Sequence, residues 1–111
     1  MRHVQSLSFA LSLAVLTQAS PLLAADGPAL YKEHCVRCHG ESGEADTWRG
    51  LLYFARNFTS AKWQAGRSDD KILKAINRGP GAMPAFENKL SLEEREALVK
   101  VVRSFGSAKQ P

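Results

Sequence analysis

The sequence predicts an all-α domain of three to four short helices wrapped around one covalently attached cofactor. Two segments, Ser68 to Gly79 and Ser91 to Gly106, place apolar residues at helical spacing between recognisable caps. No stretch shows the alternation of a convincing strand. Cys35-Val36-Arg37-Cys38-His39 has the spacing C-x-x-C-H, the signal for covalent haem attachment. Two thiols there would add to the haem vinyl groups, and His39 would bind the iron.

Residues 1–25 carry the three regions of a secretory signal peptide. Arg2 and His3 make a positive start. Leu7 to Leu16 is an apolar run of about ten residues, too short to span a bilayer as a helix. Leu23-Ala24-Ala25 then offers a cut after Ala24 or Ala25, and an uncleaved membrane anchor is the alternative. The apolar run is followed by no cysteine that a lipid could modify, so after cleavage no stable membrane anchor is expected. The remaining domain, residues 26–111, is small enough to need a staple. Cys35 and Cys38 are the only two cysteines, so a disulfide framework cannot supply it, whereas a bonded apolar macrocycle can.

The formal net charge is +4, or +3 without Arg2, the only Lys, Arg, Asp or Glu among the first 25 residues. Two ionised haem propionates would bring it near +1. The cations are interleaved with acids from Lys32 to Lys109, which reads as a solvated surface and argues against a nucleic-acid partner.

Asp26-Gly27-Pro28 reads as a helix start, and a helix should run from about Ala29 into Cys35. His34 reads as a surface histidine. The stretch from Gly40 to Asp46 is a polar, glycine-punctuated loop. Trp48 to Phe58 is rich in aromatics, lacks clean periodicity, and suits a wall of the haem pocket. Ser68 caps a helix with Asp69 and Asp70 in its first turn and Ile72, Leu73 and Ile76 on one face, ending near Asn77 to Gly79.

Arg78 to Phe86 cannot be regular structure, because two glycines and two prolines specify a bent, stiff segment. Met83 sits inside it and is the only methionine besides Met1. Met/His ligation is a standard way to hold haem iron, so Met83 is the expected second axial ligand. Ser91 and Glu94 form a capping box. The last helix should reach Ser104 or Phe105, with Gly106 ending it and Leu98, Val101, Val102 and Phe105 on one face.

A C-x-x-C pair also occurs in zinc sites and redox dithiols. Zinc would need two more ligands, and His34 is too close to His39 to suggest one. A thioredoxin-like dithiol would come with a βαβ pattern. The adjacent His39 and the export signal both favour haem c.

On these residues the sequence resembles the small class I c-type cytochromes, which carry one haem. The resemblance covers about Gly27 to Phe105. It rests on Cys35-x-x-Cys38-His39-Gly40, on Gly81-Ala82-Met83-Pro84-Ala85-Phe86, and on the final helix. The second of these looks most like the small photosynthetic and bacterial electron carriers of that family. The resemblance implies the cytochrome c fold, thioether bonds at Cys35 and Cys38, His39 as proximal ligand and Met83 as distal ligand. It implies that the first helix crosses the last at Gly27 and Tyr31, and that Pro84 helps fix the methionine loop. Trp63, Arg49 and Arg56 are competing candidates to bind a haem propionate.

The sequence departs from the family at two points. No proline lies between His39 and Pro80, so the proline carbonyl that usually accepts the ligand histidine's ring N–H is missing, and its substitute cannot be named from the sequence. The aromatic residue often found in the last helix is Val101 here.

The expected function is one-electron transfer in the periplasm between larger redox proteins, a reductase and an oxidase, by an iron with both axial positions filled. Such a protein is a carrier, not an enzyme. The alternatives are a dedicated haem subunit of one periplasmic enzyme complex, and a five-coordinate haem enzyme or ligand sensor with Met83 off the iron.

Overall fold

The computed structural model describes residues 4–5, 8–15 and 24–107. Most of the expected leader, including Leu23 at its cleavage signal, and the tail from residue 108 lie outside the described residues. Among the described residues there are six helices and no strand: α1 (Gly27–His34), α2 (Val36–His39), α3 (Trp48–Leu52), α4 (Ala61–Ala65), α5 (Asp69–Arg78) and α6 (Leu92–Ser107). The three longer helices, α1, α5 and α6, are those whose starts are legible in the sequence. The three one-turn helices α2, α3 and α4 are too short to leave a periodic signal.

Each longer helix starts at the predicted cap. The Asp26 carboxylate accepts the Ala29 N–H at 3.1 Å, so α1 begins at Gly27, two residues before the predicted start. Ser68 Oγ accepts the Lys71 N–H at 3.2 Å, and Gly79 closes α5 in the left-handed region with φ 65°. At α6 the capping box is reciprocal: the Glu94 N–H donates to Ser91 Oγ at 3.1 Å and the Ser91 N–H to Glu94 Oε1 at 2.9 Å. These bonds hold the exposed Glu94 carboxyl below its ordinary range.

The C-terminal end of α6 differs from the expectation. The helix runs through Gly106 to Ser107 instead of stopping before the glycine. A Cβ at Gly106 would lie 2.7 Å from Gln64 Cγ, so this glycine admits a neighbour and does not terminate the helix. Gln64 Nε2 donates to the carbonyls of Phe58 (2.7 Å) and Val102 (2.9 Å), fastening α4 to α6. Arg103 adds bonds to Asp69 Oδ1 (2.7 Å), to the Gln64 carbonyl (2.9 Å) and to the Arg67 carbonyl.

Helix α6 is packed on by α1, α4 and α5. The core contains Tyr31, Phe58, Ile72, Ile76, Phe86, Leu98, Val99 and Val102, with Leu98 the most enclosed at 1 % exposure. Leu98 and Val102 lie on the predicted face. Val99 joins them in the core, while Val101 and Phe105 are only partly buried.

The α1–α6 crossing depends on Gly27, where an added Cβ would sit 2.9 Å from both the Ala97 carbonyl oxygen and Val101 Cγ2. One partner is backbone and cannot swing away, so Gly27→Ala is expected to cost about 1–3 kcal/mol through forced separation of the helices. Thermal unfolding followed by circular dichroism should show a midpoint lower by about 4–8 °C per kcal/mol. An unchanged midpoint would mean that the two helices do not cross this closely.

Candidate haem site

The sequence Cys35 to His39 makes one helical turn immediately after α1. The N–H groups of Cys38 and His39 both donate to the Cys35 carbonyl, at 3.2 and 2.9 Å, and Gly40 N–H donates to the Val36 carbonyl at 2.9 Å. A helical turn brings positions i, i+3 and i+4 to one face, which is why this spacing presents both thiols and the imidazole together. Gly40 ends the turn with φ 78°, a conformation that favours glycine. Its carbonyl accepts the buried Tyr31 hydroxyl at 2.7 Å, so α1 reaches over to hold the far end of the motif. Burial, with a smaller contribution from Cys35, pushes the Tyr31 phenol up and keeps it a donor.

Cys35, Cys38 and His39 line a cavity of about 320 Å³ together with Met83, Phe86 and Arg56. That size is within the range of small-molecule and cofactor pockets. Burial, followed by the neighbouring Cys38, pushes the Cys35 thiol up to about 11. Met83 arrives from the segment after α5. Gly79 and Gly81 both adopt the left-handed region, with φ 65° and 60°. The Phe86 N–H then donates to the Ile76 carbonyl at 2.9 Å and folds the segment back against α5. A Cβ at Gly79 would lie 2.6 Å from Ala85 N, so the methionine loop closes only over a glycine.

The support behind His39, unassigned in the sequence, is the Arg56 main chain. His39 Nδ1 lies 3.1 Å from the Arg56 carbonyl oxygen, so Nδ1–H is the donor and the lone pair belongs to Nε2. Burial lowers the His39 pKa, opposed in part by this hydrogen bond, and favours the neutral imidazole that a metal requires. The Phe58 ring stacks on the imidazole, with centroids 4.3 Å apart and planes 18° apart. Sequence reasoning missed both contacts, because a backbone carbonyl seventeen positions away carries no side-chain signature.

The stretch from Trp48 to Phe58 divides in two, so that only part of it forms the pocket wall expected of it. Tyr53, Phe54, Ala55 and Arg56 line the cavity and Phe58 is buried beside it. Trp48, Leu51 and Leu52 are 67 %, 71 % and 58 % exposed. The reason is Gly50, whose missing side chain lets α3 settle on the motif. A Cβ there would lie 2.6 Å from the Ala45 carbonyl oxygen, and Thr47 Oγ1 donates to the Cys38 carbonyl at 2.8 Å. With Gly50 inward, helical geometry sends Trp48 and Leu52 outward. His34 also departs from its surface reading: it is half-buried, lines the cavity and meets Phe86 edge-on with centroids 5.3 Å apart.

The residues present fit a haem. The cavity offers two thiols, a neutral imidazole and a thioether on largely apolar walls, a donor set matched to covalent attachment and axial ligation. Trp63 Nε1 is buried without a hydrogen-bond partner. An orphaned buried donor costs about 1–3 kcal/mol, and a propionate oxygen is a group that would satisfy it. Of the competing cations, Arg56 lines the cavity, whereas the Arg49 guanidinium lies over the Trp48 ring, 4.9 Å from its centroid.

Comparison with known proteins agrees with this chemistry. Residues 23–100 match the family described as cytochrome c oxidase, cbb3-type, subunit III. Over 87 residues the chain is 33 % identical to the cbb3-type cytochrome c oxidase subunit FixP of Bradyrhizobium diazoefficiens, covering 78 % of this chain and 29 % of that protein. The FixP subunit of Bradyrhizobium sp. (strain ORS 278) is 32 % identical over the same length and coverage. The chain thus spans less than a third of the length of these relatives. Among solved structures, the KustC0563 c-type cytochrome superposes with a TM-score of 0.67 at 47 % identity, covering 72 % of this chain and 96 % of that one. A point mutant of Kustc0563 gives 0.66 at 46 %, covering 72 % and 98 %. The fold, the cavity and these similarities lead to one conclusion: the chain belongs to the family of cbb3-type oxidase subunit III cytochromes, as a small class I c-type cytochrome with a role in haem electron transfer.

Proposed function

We propose that the chain is a periplasmic one-electron carrier holding a single haem, bound by thioethers at Cys35 and Cys38 and ligated by His39 and Met83. The observation that supports it most is that both thiols, the imidazole and the only methionine of the domain line one cavity. When bound, haem supplies a one-electron couple. The chain's own residues do the rest. His39 keeps its proton on Nδ1, against the Arg56 carbonyl, and so leaves Nε2 for the metal. Met83 would offer a soft ligand that favours ferrous iron, and with His39 and Met83 both on the metal a substrate would have no ready access to it. Arg56, which lines the cavity, and Trp63 Nε1, a buried donor without a partner, are the groups that would hold the propionates.

The exposed apolar surface of Trp48, Leu51 and Leu52, beside α2, suits the small and weak contacts typical of redox encounters. A second reading is favoured by the FixP relatives, which are oxidase subunits: the chain would serve one enzyme complex in place of a diffusing partner. The visible and near-infrared spectrum of the purified oxidised holoprotein tests the ligand set. A sulfur-to-iron charge-transfer band in the far red, with no carbon monoxide binding after reduction, is the expected result. Ready carbon monoxide binding and no such band would instead support the five-coordinate enzyme or sensor. Co-purification with a membrane oxidase, against recovery as a free soluble protein, separates subunit from carrier.

A further inference from the structure

The Phe58 ring has no place in the ligand set, yet it forms the tightest aromatic contact of the candidate ligand His39. The two rings are 4.3 Å apart between centroids and 18° from coplanar, a stacked arrangement. Phe58 is itself 7 % exposed and held on its other sides by Trp63, at 5.1 Å, and Phe105 of α6, at 6.2 Å. Its backbone is equally fixed. The N–H donates to the Gly43 carbonyl at 2.8 Å, and the carbonyl accepts Gln64 Nε2 at 2.7 Å. Two residues earlier the same strand of chain supplies the Arg56 carbonyl, 3.1 Å from His39 Nδ1. Ala55 N–H, bonded to the Gly50 carbonyl at 2.9 Å, pins the start of this segment.

A hydrogen bond from Nδ1 restrains the imidazole at one point but leaves it free to rock about the line between ring and acceptor. A flat ring stacked on its face removes that freedom. We infer that Phe58 is a positioning residue for His39, which fixes the plane of the imidazole and keeps its Nδ1–H aligned on the Arg56 carbonyl. This rests on the reading of His39 as the haem ligand. The stack also passes the position of α6, through Phe105, to the ligand, so the last helix supports the site without touching it.

The consequence concerns electron donation as well as geometry. A well-aligned Nδ1–H···O=C bond raises the basicity of the ligating imidazole. A more basic ligand favours ferric iron, so loosening the bond should raise the midpoint potential. Phe58→Leu removes the flat ring and keeps an apolar side chain in the core.

The test uses the attached-haem protein and compares wild type, Phe58→Leu and Phe58→Tyr. In Phe58→Leu the His39 Nδ1–H should exchange with deuterium roughly tenfold faster, as expected for loss of one hydrogen bond's net contribution. The haem-methyl shift pattern of the oxidised protein, which reports the orientation of the axial ligand planes, should change, and the potential should rise. Phe58→Tyr, which retains the ring, should return all three readouts to wild type. Unchanged exchange and an unchanged methyl pattern in Phe58→Leu would overturn the inference, because a residue that only fills the core would alter the melting temperature alone. If Phe58→Leu does not accumulate, nuclear Overhauser contacts between the Phe58 and His39 rings in reduced wild type decide the matter, and their absence refutes the stack. A wild-type spectrum without histidine ligation would instead refute the ligand reading itself, leaving the two failures distinct.

Discussion

Met83→Ala is expected to leave haem attached and to lower the midpoint potential by on the order of 100 mV, equivalent to a roughly fifty-fold loss of preference for ferrous iron at about 59 mV per tenfold. The reduced variant should bind carbon monoxide stoichiometrically where the wild type does not. Both effects follow from a single substitution because Met83 is the sole methionine of the segment that closes over the cavity, and the alanine at 82 or 85 has no donor atom to replace it. The fold should survive. The loop is held by its main chain, through Phe86 N–H on the Ile76 carbonyl and the left-handed glycines at 79 and 81, none of which involves the thioether. Redox titration and carbon monoxide difference spectra read the two effects separately. An unchanged potential would show that Met83 is not a ligand.

Cys38→Ser should be more damaging still. It removes one of the two proposed thioether anchors and leaves the chain to fold around a largely apolar cavity, on which Tyr53 and Phe54 are 52 % and 86 % open to water. A domain of this size has only about 5 kcal/mol of stability in reserve. Well under half of the wild-type yield of folded holoprotein is therefore expected, measured by haem absorbance against total protein and by far-ultraviolet circular dichroism. A stable, fully folded haem-free form of this variant would contradict the idea that haem is part of the core.

These predictions draw on different levels of information. The cysteines, His39 and Met83 were legible as residues because their chemistry is carried by side chains at short, fixed spacings. The helix starts were legible for the same reason: Asp26, Ser68 and Ser91 each bond a backbone N–H three residues on, and that bond is written locally. The end of α6 was not, because Gly106 is equally compatible with a stop and with a close helix contact. Only the presence of Gln64 across the groove chooses between them. The split of the Trp48–Phe58 stretch into inward and outward parts was hidden likewise, since it follows from Gly50 lying against the Ala45 carbonyl and not from any pattern in the stretch itself.

The sequence by itself determined the all-α class, the haem motif, the candidate ligands and the family to which they point. The tertiary structure alone decided what stands behind His39. An Arg56 carbonyl takes the place of a missing proline's, a phenylalanine stacks on the imidazole, and an indole N–H waits unpaired in the interior. The physical reason is that a main-chain carbonyl is the same in every residue. Its use as a hydrogen-bond acceptor is fixed by the path of the chain, which the packing of α3 on α2 and of α4 on α6 sets.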